Sequence, residues 1–230
     1  MKKDNPSKST VKSAKDYIKK GDKYLDQEDY SNAISNFDEA ICLYPDNARA
    51  YYNRGLAKSR LGQYFEAISD YDEAIRLDPG YAKAYNNRGF VKYKLGHPKA
   101  AIPDFDEAIR LDSKDIKVYR NRSVAKSEIG QYFEAISDLD VVIRLDPNDD
   151  AAYHDKGANK ADLGHYEAAI LDFNEAIRLN PDNIEAYLNR GLSKRKLGRD
   201  AEAAQDFQEA LRLAEEAGDE ELIAIIRKQM

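Results

Sequence analysis

The chain has 230 residues, of which 42% are hydrophobic and 34% charged, and its formal net charge is −6. This negative balance disfavours strong sequence-independent binding to nucleic acid, and no segment approaches the roughly 18 apolar residues of a membrane-spanning helix. Cys42 is the single cysteine, so an intramolecular disulfide is excluded, and we expect a reducing, cytoplasmic location.

The N-terminal segment is basic and polar. Residues 1–12 lack the apolar run of a secretory signal and are predicted to form a disordered tail. Ser13 and Asp16 then have the spacing of a capping box, which predicts that the first helix begins there.

A period of 34 residues follows and repeats six times without insertions. Tyrosine returns at this interval, at Tyr17, Tyr51, Tyr85, Tyr119, Tyr153 and Tyr187. A fixed period of this length predicts a stacked array of small structural repeats, each contacting mainly its neighbours. The predicted repeats 1 to 6, within residues 13–217, are 14–47, 48–81, 82–115, 116–149, 150–183 and 184–217.

Each repeat is predicted to contain two antiparallel helices, A and B. In repeat 2, helix A carries Tyr51 and Gly55 and ends near Gly62, because glycine favours a left-handed C-terminal cap. Helix B carries Tyr71 and ends before Pro79, since proline cannot continue a helix. In repeat 4, Ser123, Leu139 and Val142 replace the usual glycine, aromatic and alanine, so its packing is expected to be the most atypical of the inner repeats.

Charged residues also follow the repeat. Arg54 and Lys58 are four residues apart on helix A, and Asp70 precedes the packed aromatic of helix B. We predict that these cations pair with the recurring aspartates within or between repeats.

Residues 218–230 form a separate C-terminal element. The segment after Gly218 and Asp219 is predicted to be a capping helix for the last repeat, with dimerisation as the alternative. Its expected apolar face consists of Leu222, Ile223, Ile225 and Ile226.

This pattern resembles the tetratricopeptide repeat family. In repeat 2 the matching residues are Tyr51, Gly55, Ala67, Tyr71, Ala74 and Pro79. The resemblance implies an all-α fold, a right-handed superhelical solenoid of antiparallel helix pairs, here with the C-terminal capping helix. It also implies that the A helices line a concave side and that the protein is an interaction scaffold rather than an enzyme. The sequence departs from the family where Lys58 and its equivalents replace an aromatic and where Ser113 and Glu215 replace the closing proline.

An asparagine recurs two residues after the repeat tyrosine, at Asn53, Asn87, Asn121 and Asn189. A side-chain amide both donates and accepts, so a row of amides can pair with the backbone of an extended peptide. This arrangement looks like the asparagine ladder of some family members. The alternative is that the amides hydrogen-bond to neighbouring helices.

Two further sets of residues complete the predicted peptide-binding site. Leu56, Phe90 and Val124 form an apolar strip, unless they pack between adjacent A helices. Arg49, Lys83, Lys117 and Arg120 add positive charge that favours an acidic peptide, the alternative being a solvated surface of mixed charge.

The expected function is therefore the binding of an extended, acidic peptide of a protein partner. The three histidines are scattered, so we expect no metal site, no cofactor and no catalytic residue. We expect no nucleic-acid or membrane partner, and a monomer or weak self-association. The alternatives are a self-assembling array that acts through its ends or convex face, and an RNA-binding helical repeat.

Overall fold

The computed structural model describes residues 8–230, which are helical without any strand. They form thirteen helices: α1 (Lys8–Asp26), α2 (Tyr30–Leu43), α3 (Ala48–Arg60), α4 (Tyr64–Leu77), α5 (Ala82–Lys94), α6 (Pro98–Leu111), α7 (Ile116–Glu128), α8 (Tyr132–Leu145), α9 (Asp150–Asp162), α10 (Tyr166–Leu179), α11 (Ile184–Lys196), α12 (Asp200–Ala217) and α13 (Glu220–Arg227). The predicted all-α class and the predicted helix pairs are confirmed.

The first helix begins earlier than predicted. It starts at Lys8, so Ser13 lies inside the helix and the predicted capping box is wrong. The physical reason is an apolar stripe that extends upstream of Ser13: Val11 is half-buried, and Ala14 and Ile18 are buried at the helical spacing that follows it. Of the predicted disordered tail, residues 8–12 are therefore helical, and residues 1–7 lie outside the described residues.

The chain divides into two compact units, Met1–Val118 and Tyr119–Met230. In the first unit the helices pack as the pairs α1/α2, α3/α4 and α5/α6, and α3 also packs on α2 and α5 on α4. In the second unit the pairs are α9/α10 and α11/α12, with α9 against α8 and α11 against α10. Helix α7 contains the division between the units.

Local capping explains where the helices begin and end. Asn47 precedes α3, and its side chain accepts a hydrogen bond from the backbone N–H of Ala50. Asp149 and Asn183 cap α9 and α11 in the same way. Gly62 adopts a φ of 75° between α3 and α4, a left-handed conformation that glycine adopts without steric cost.

The contact between helices A and B depends on a close approach at a small residue. A Cβ atom on Gly89 of α5 would lie 2.8 Å from Cε1 of Phe105 on α6, which is too close for an alanine without rearrangement. At the equivalent positions of repeat 4 the chain has Ser123 and Leu139, both buried. The larger residue on helix A is therefore accompanied by a smaller one on helix B, which preserves the total volume.

The last helix covers part of the final repeat. Ile223 and Ile226 of α13 are buried in a cluster with Phe207 and Ala214 of α12, and Leu222 packs against it. Ile225, which was predicted to belong to the same apolar face, is 40% exposed. The buried stripe follows the spacing of residues 222, 223 and 226, which leaves position 225 on the outer side of the helix.

Candidate functional site

Ion pairs hold α5 to the B helices on both sides of it, α4 and α6. Nε and Nη2 of Arg88 donate to the two carboxylate oxygens of Asp104 at 3.1 and 2.5 Å, and Nη1 donates to Asp72 of the preceding repeat at 2.5 Å. Lys92 Nζ lies 2.8 Å from the same Asp104 carboxylate. Burial opposes the charged form of Arg88, but the hydrogen bonds from its two aspartates raise the pKa of the guanidinium above its ordinary value.

The same arrangement returns along the chain. The predicted pairing of recurring cations with recurring aspartates is confirmed for Arg54 and Lys58 with Asp70, Arg122 and Lys126 with Asp138, Lys156 and Lys160 with Asp172, and Arg190 and Lys194 with Asp206. These four aspartates, like Asp104, are buried. Their cationic partners are therefore used by the scaffold and are not available to a ligand.

The remaining side of the A helices is called here the A-helix face. It comprises the positions two before and one, two, five and nine after the repeat tyrosine. The first unit carries this face on α1, α3 and α5, and the second unit carries it on α9, α11 and its part of α7.

The recurring asparagines are engaged within the A-helix face itself. Nδ2 of Asn53 donates to Asp22 Oδ1 at 2.7 Å, and Nδ2 of Asn87 donates to Tyr52 Oη at 3.1 Å. Nδ2 of Asn189 lies 2.9 Å from Nε2 of His154. Each partner belongs to the preceding helix A. These three amides therefore hydrogen-bond to a neighbouring helix, as the alternative to a peptide-binding ladder predicted.

These asparagines differ in accessibility. Asn53 is only 8% exposed, so its predicted role as an exposed rung of a ladder is wrong. The reason is Asp22 of repeat 1, whose carboxylate attracts both Asn53 and Arg49. Asn87, Asn121 and Asn189 are half-buried.

Two of the four predicted cationic residues have carboxylate partners. Arg49 pairs with Asp22 at 2.5 Å, and Arg120 pairs with Asp149 at the start of α9. Lys83 and Lys117 are exposed. Lys94 Nζ lies 5.4 Å from the centroid of the Phe90 ring, a cation–π distance.

The predicted apolar strip is partly accessible. Phe90 and Val124 are each 37% exposed, whereas Leu56 is half-buried. Phe90 belongs to a single helical stripe on α5 with Lys83, Asn87 and Lys94, because these residues follow one another at steps of three or four.

Three tyrosines, from α3, α4 and the loop before α5, lie close together in the first unit. The Tyr52 ring centroid lies 6.0 Å from that of Tyr71 and 4.8 Å from that of Tyr81. Burial raises the pKa of all three hydroxyls, that of Tyr81 to about 12. The sequence signal was the single aromatic at Tyr52, one residue after the repeat tyrosine, where the other repeats vary.

The second unit has two pockets beside its A helices. Between α9, α10 and α11 lies a pocket of about 260 Å³, lined among others by Ala158, Phe173, Leu192 and Ser193. A neighbouring pocket of about 220 Å³ lies between α7 and α9. Sequence reasoning missed both pockets, although the alanines and serines on these helices were a usable signal.

Within residues 8–230, no group of three or more His, Cys, Asp or Glu side chains could hold a metal ion. No helix in this part of the chain combines the length and apolarity that crossing a membrane requires. Cys42 is exposed and unpaired.

Family models match much of the chain. A model described as "TPR repeat" matches residues 21–62, 59–96 and 157–198, and two models described as "Tetratricopeptide repeat" match residues 82–115 and 184–216. No curated protein sequence gives a significant match.

Several solved structures resemble the chain. A MamA structure has 26% sequence identity and a TM-score of 0.70, with 76% of this chain and 95% of that one covered. The structure of YrrB, described as a TPR protein with an unusual peptide-binding site, has 26% identity and a TM-score of 0.67 over 74% of this chain and 88% of that one. PilF of Pseudomonas aeruginosa, at 17% identity and a TM-score of 0.77 over 97% of this chain and 100% of that one, shows likeness of fold alone.

Proposed function

This chain belongs to the tetratricopeptide repeat family, and we propose that it is a non-enzymatic scaffold that binds an extended, acidic segment of a protein partner on the A-helix face of its first unit. The observation that carries the proposal is the stripe of Lys83, Asn87, Phe90 and Lys94 on α5. The description of YrrB as a protein with a peptide-binding site supports peptides as the ligand class.

The charge of the stripe supports an acidic ligand. Lys83 and Lys94 are exposed, and no carboxylate among residues 10–230 forms an ion pair with either. In contrast, Arg88 and Lys92 on the same helix are bound to Asp104. Two free cations on one side of a helix favour a partner that brings carboxylates.

The rest of the stripe supports an extended ligand with an apolar side chain. Phe90 lies between Asn87 and Lys94 and offers a partly exposed ring. Asn87 donates to Tyr52 Oη and accepts from Asn86 Nδ2, so its amide is held in place beside the Phe90 ring. Exposed ion pairs contribute about 0–1 kcal/mol each and a hydrogen bond about 1 kcal/mol. We therefore expect modest affinity that weakens as salt is added.

The test is a titration of labelled acidic peptides containing one aromatic or aliphatic residue. The double substitution Lys83→Glu/Lys94→Glu reverses the charge of the stripe and should weaken binding by roughly tenfold or more. The matched control is Lys99→Glu/Lys114→Glu, which changes net charge equally at two exposed lysines outside the stripe. If the two double variants bind the peptides equally well, the proposed site is incorrect.

A second candidate function is self-association through the B helices. Phe65, Phe133 and Leu171 are 72%, 63% and 68% exposed, which is unusual for large apolar side chains. Light scattering over a range of protein concentrations tests this candidate. A constant monomer mass would exclude it, and a mass that falls after substitution of these residues by serine would support it.

A further inference from the structure

The A-helix face of the second unit differs in shape from that of the first. The pocket of about 260 Å³ is bordered by Ala158 on α9, Leu192 and Ser193 on α11, and Phe173 on α10. The residues 102 positions earlier, in repeats 2 and 3, are Leu56, Phe90, Val91 and Tyr71. Every one of these four positions has a smaller side chain in the second unit. Over all six repeats, Ala158 is the main departure, because it is the smallest side chain at a position that elsewhere carries Asp22, Leu56, Phe90, Val124 and Leu192.

The adjoining pocket is a second copy of the same arrangement, one repeat earlier. It is lined by Ser123, Val124 and Ser127 of α7 and by Asp155, Ala158, Asn159 and Asp162 of α9. Ser127 donates to Asn159 Oδ1 at 2.6 Å, so these buried polar groups already have partners. The space beside them is bounded mainly by small side chains. At about 220 and 260 Å³, both pockets are smaller than the ~300–1,000 Å³ of small-molecule sites and suit single side chains.

The charge of this face is also different. Asp162 lines both pockets and is exposed, and no cation among the described residues forms an ion pair with it. The lysines of the same helix are occupied, since Lys156 binds Asp140 and Lys160 binds Asp172. The equivalent of Asp162 in repeat 2 is Arg60.

Other charges border the pockets on both sides. Asp155 lines the smaller pocket, and its carboxylate lies 3.2 Å from His154 Nδ1. Lys196, at the far side of the larger pocket, is the one lysine or arginine that lines either of the two. The shared border between the pockets is thus acidic, opposite in sign to the stripe of Lys83 and Lys94 in the first unit.

We propose that the A-helix face of the second unit binds an extended peptide that has two small apolar side chains about three residues apart and a Lys or Arg between them. Neighbouring helices lie about 8–10 Å apart. An extended chain in the polyproline II conformation advances about 3.1 Å per residue with three residues per turn, so side chains three residues apart lie on the same side at roughly the spacing of the two pockets. The cationic side chain pairs with Asp162 between the pockets. This inference rests on the proposed scaffold function and assigns a second ligand class to it.

The experiment uses a fluorescein-labelled peptide in which Val-Lys-Gly-Val is flanked by Gly-Ser, and the matched peptide with Glu in place of Lys. Fluorescence anisotropy with the full chain should give a dissociation constant at least roughly tenfold lower for the lysine peptide. Ala158→Leu fills the pocket with the residue of repeat 2 and should weaken binding by a similar factor. Asp162→Arg, again the residue of repeat 2, should reverse the preference between the two peptides.

Ala100→Leu, the same substitution at an exposed alanine of α6 outside both pockets, is the matched control and should leave the affinity for the lysine peptide unchanged. Failure of the wild-type chain to bind the lysine peptide saturably would overturn the inference, as would unchanged binding by Ala158→Leu and Asp162→Arg. The acidic peptides and the Lys83→Glu/Lys94→Glu variant are measured in parallel. Binding of acidic peptides alone would refute the second ligand class and leave the proposed function standing.

Discussion

The two carboxylates that bind Arg88 provide a direct test of how the scaffold is held together. The side chain of Asp104 is 6% exposed, whereas that of Asp72 is 55% exposed, and each lies 2.5 Å from a nitrogen of the same guanidinium. Asp104 also binds Lys92 at 2.8 Å. The substitutions Asp104→Asn and Asp72→Asn therefore remove the same charge from two environments that differ mainly in burial.

We expect Asp104→Asn to lower the free energy of unfolding by about 3 kcal/mol, the lower end of the cost of breaking a buried ion pair. The amide keeps one acceptor oxygen but leaves Lys92 without its carboxylate partner and Arg88 paired with Asp72 alone. Asp72→Asn should cost about 0–1 kcal/mol, because water screens an exposed pair. The difference between the two variants, about 2 kcal/mol or more, follows from these two ranges.

Urea unfolding followed by circular dichroism measures both values, and the slope with urea should stay unchanged if only stability is affected. Added salt should reduce the small effect at Asp72 and leave the effect at Asp104 largely intact, since buried pairs are screened less. Equal costs at the two positions, both under about 1 kcal/mol, would show that burial does not set the strength of these ion pairs.

Three further predictions concern packing, pH and the C-terminal helix. Gly89→Ser should lower the free energy of unfolding by about 1–3 kcal/mol because of the contact with Phe105. Adding Phe105→Leu, the combination found in repeat 4, should recover part of that stability in a double-mutant cycle. A purely additive cycle would contradict this coupling. Burial raises the pKa of Tyr81 from 10.0 to about 12, so its contribution to stability is complete below pH 10 and is lost as pH rises to about 12. Urea unfolding across this range should show a shallower decline for Tyr81→Phe than for the wild type, and identical slopes would exclude the effect. Ile226→Ala should cost about 2–5 kcal/mol locally and reduce hydrogen-exchange protection of α13, whereas Ile225→Ala at an exposed site should leave that protection unchanged.

The pattern along the sequence was sufficient for the helices and for the ion pairs between them. The period of 34 residues gave the six pairs, and Gly62 marked the end of α3 as the structure has it. Arg54 lies 16 residues from both Asp38 and Asp70, so one local geometry, repeated, accounts for its two partners. The helix pairs and their ion pairs depend on the spacing of residues along each helix and on a constant angle between neighbouring helices. Both recur with the repeat of 34 residues.

The start of α1 was misjudged for a related reason. Ser13 and Asp16 satisfied a local capping motif, but the apolar stripe of Val11, Ala14 and Ile18 continued the helix past it. Burial of a continuous stripe outweighs the gain of a single cap, which is typically about 1 kcal/mol.

The sequence by itself determined that this protein is an array of helix pairs and which charged residues hold the pairs together. The tertiary structure decided what the A-helix face offers. Asn53 is hydrogen-bonded to Asp22, and Tyr52 packs beside Tyr71. Small residues on α7, α9 and α11 line pockets. Each of these outcomes depends on side chains from two or three helices that share one volume. The sequence gives the identity of the side chains that meet between two helices. Only their packing in three dimensions decides which side chain occupies the space and whether a pocket is left.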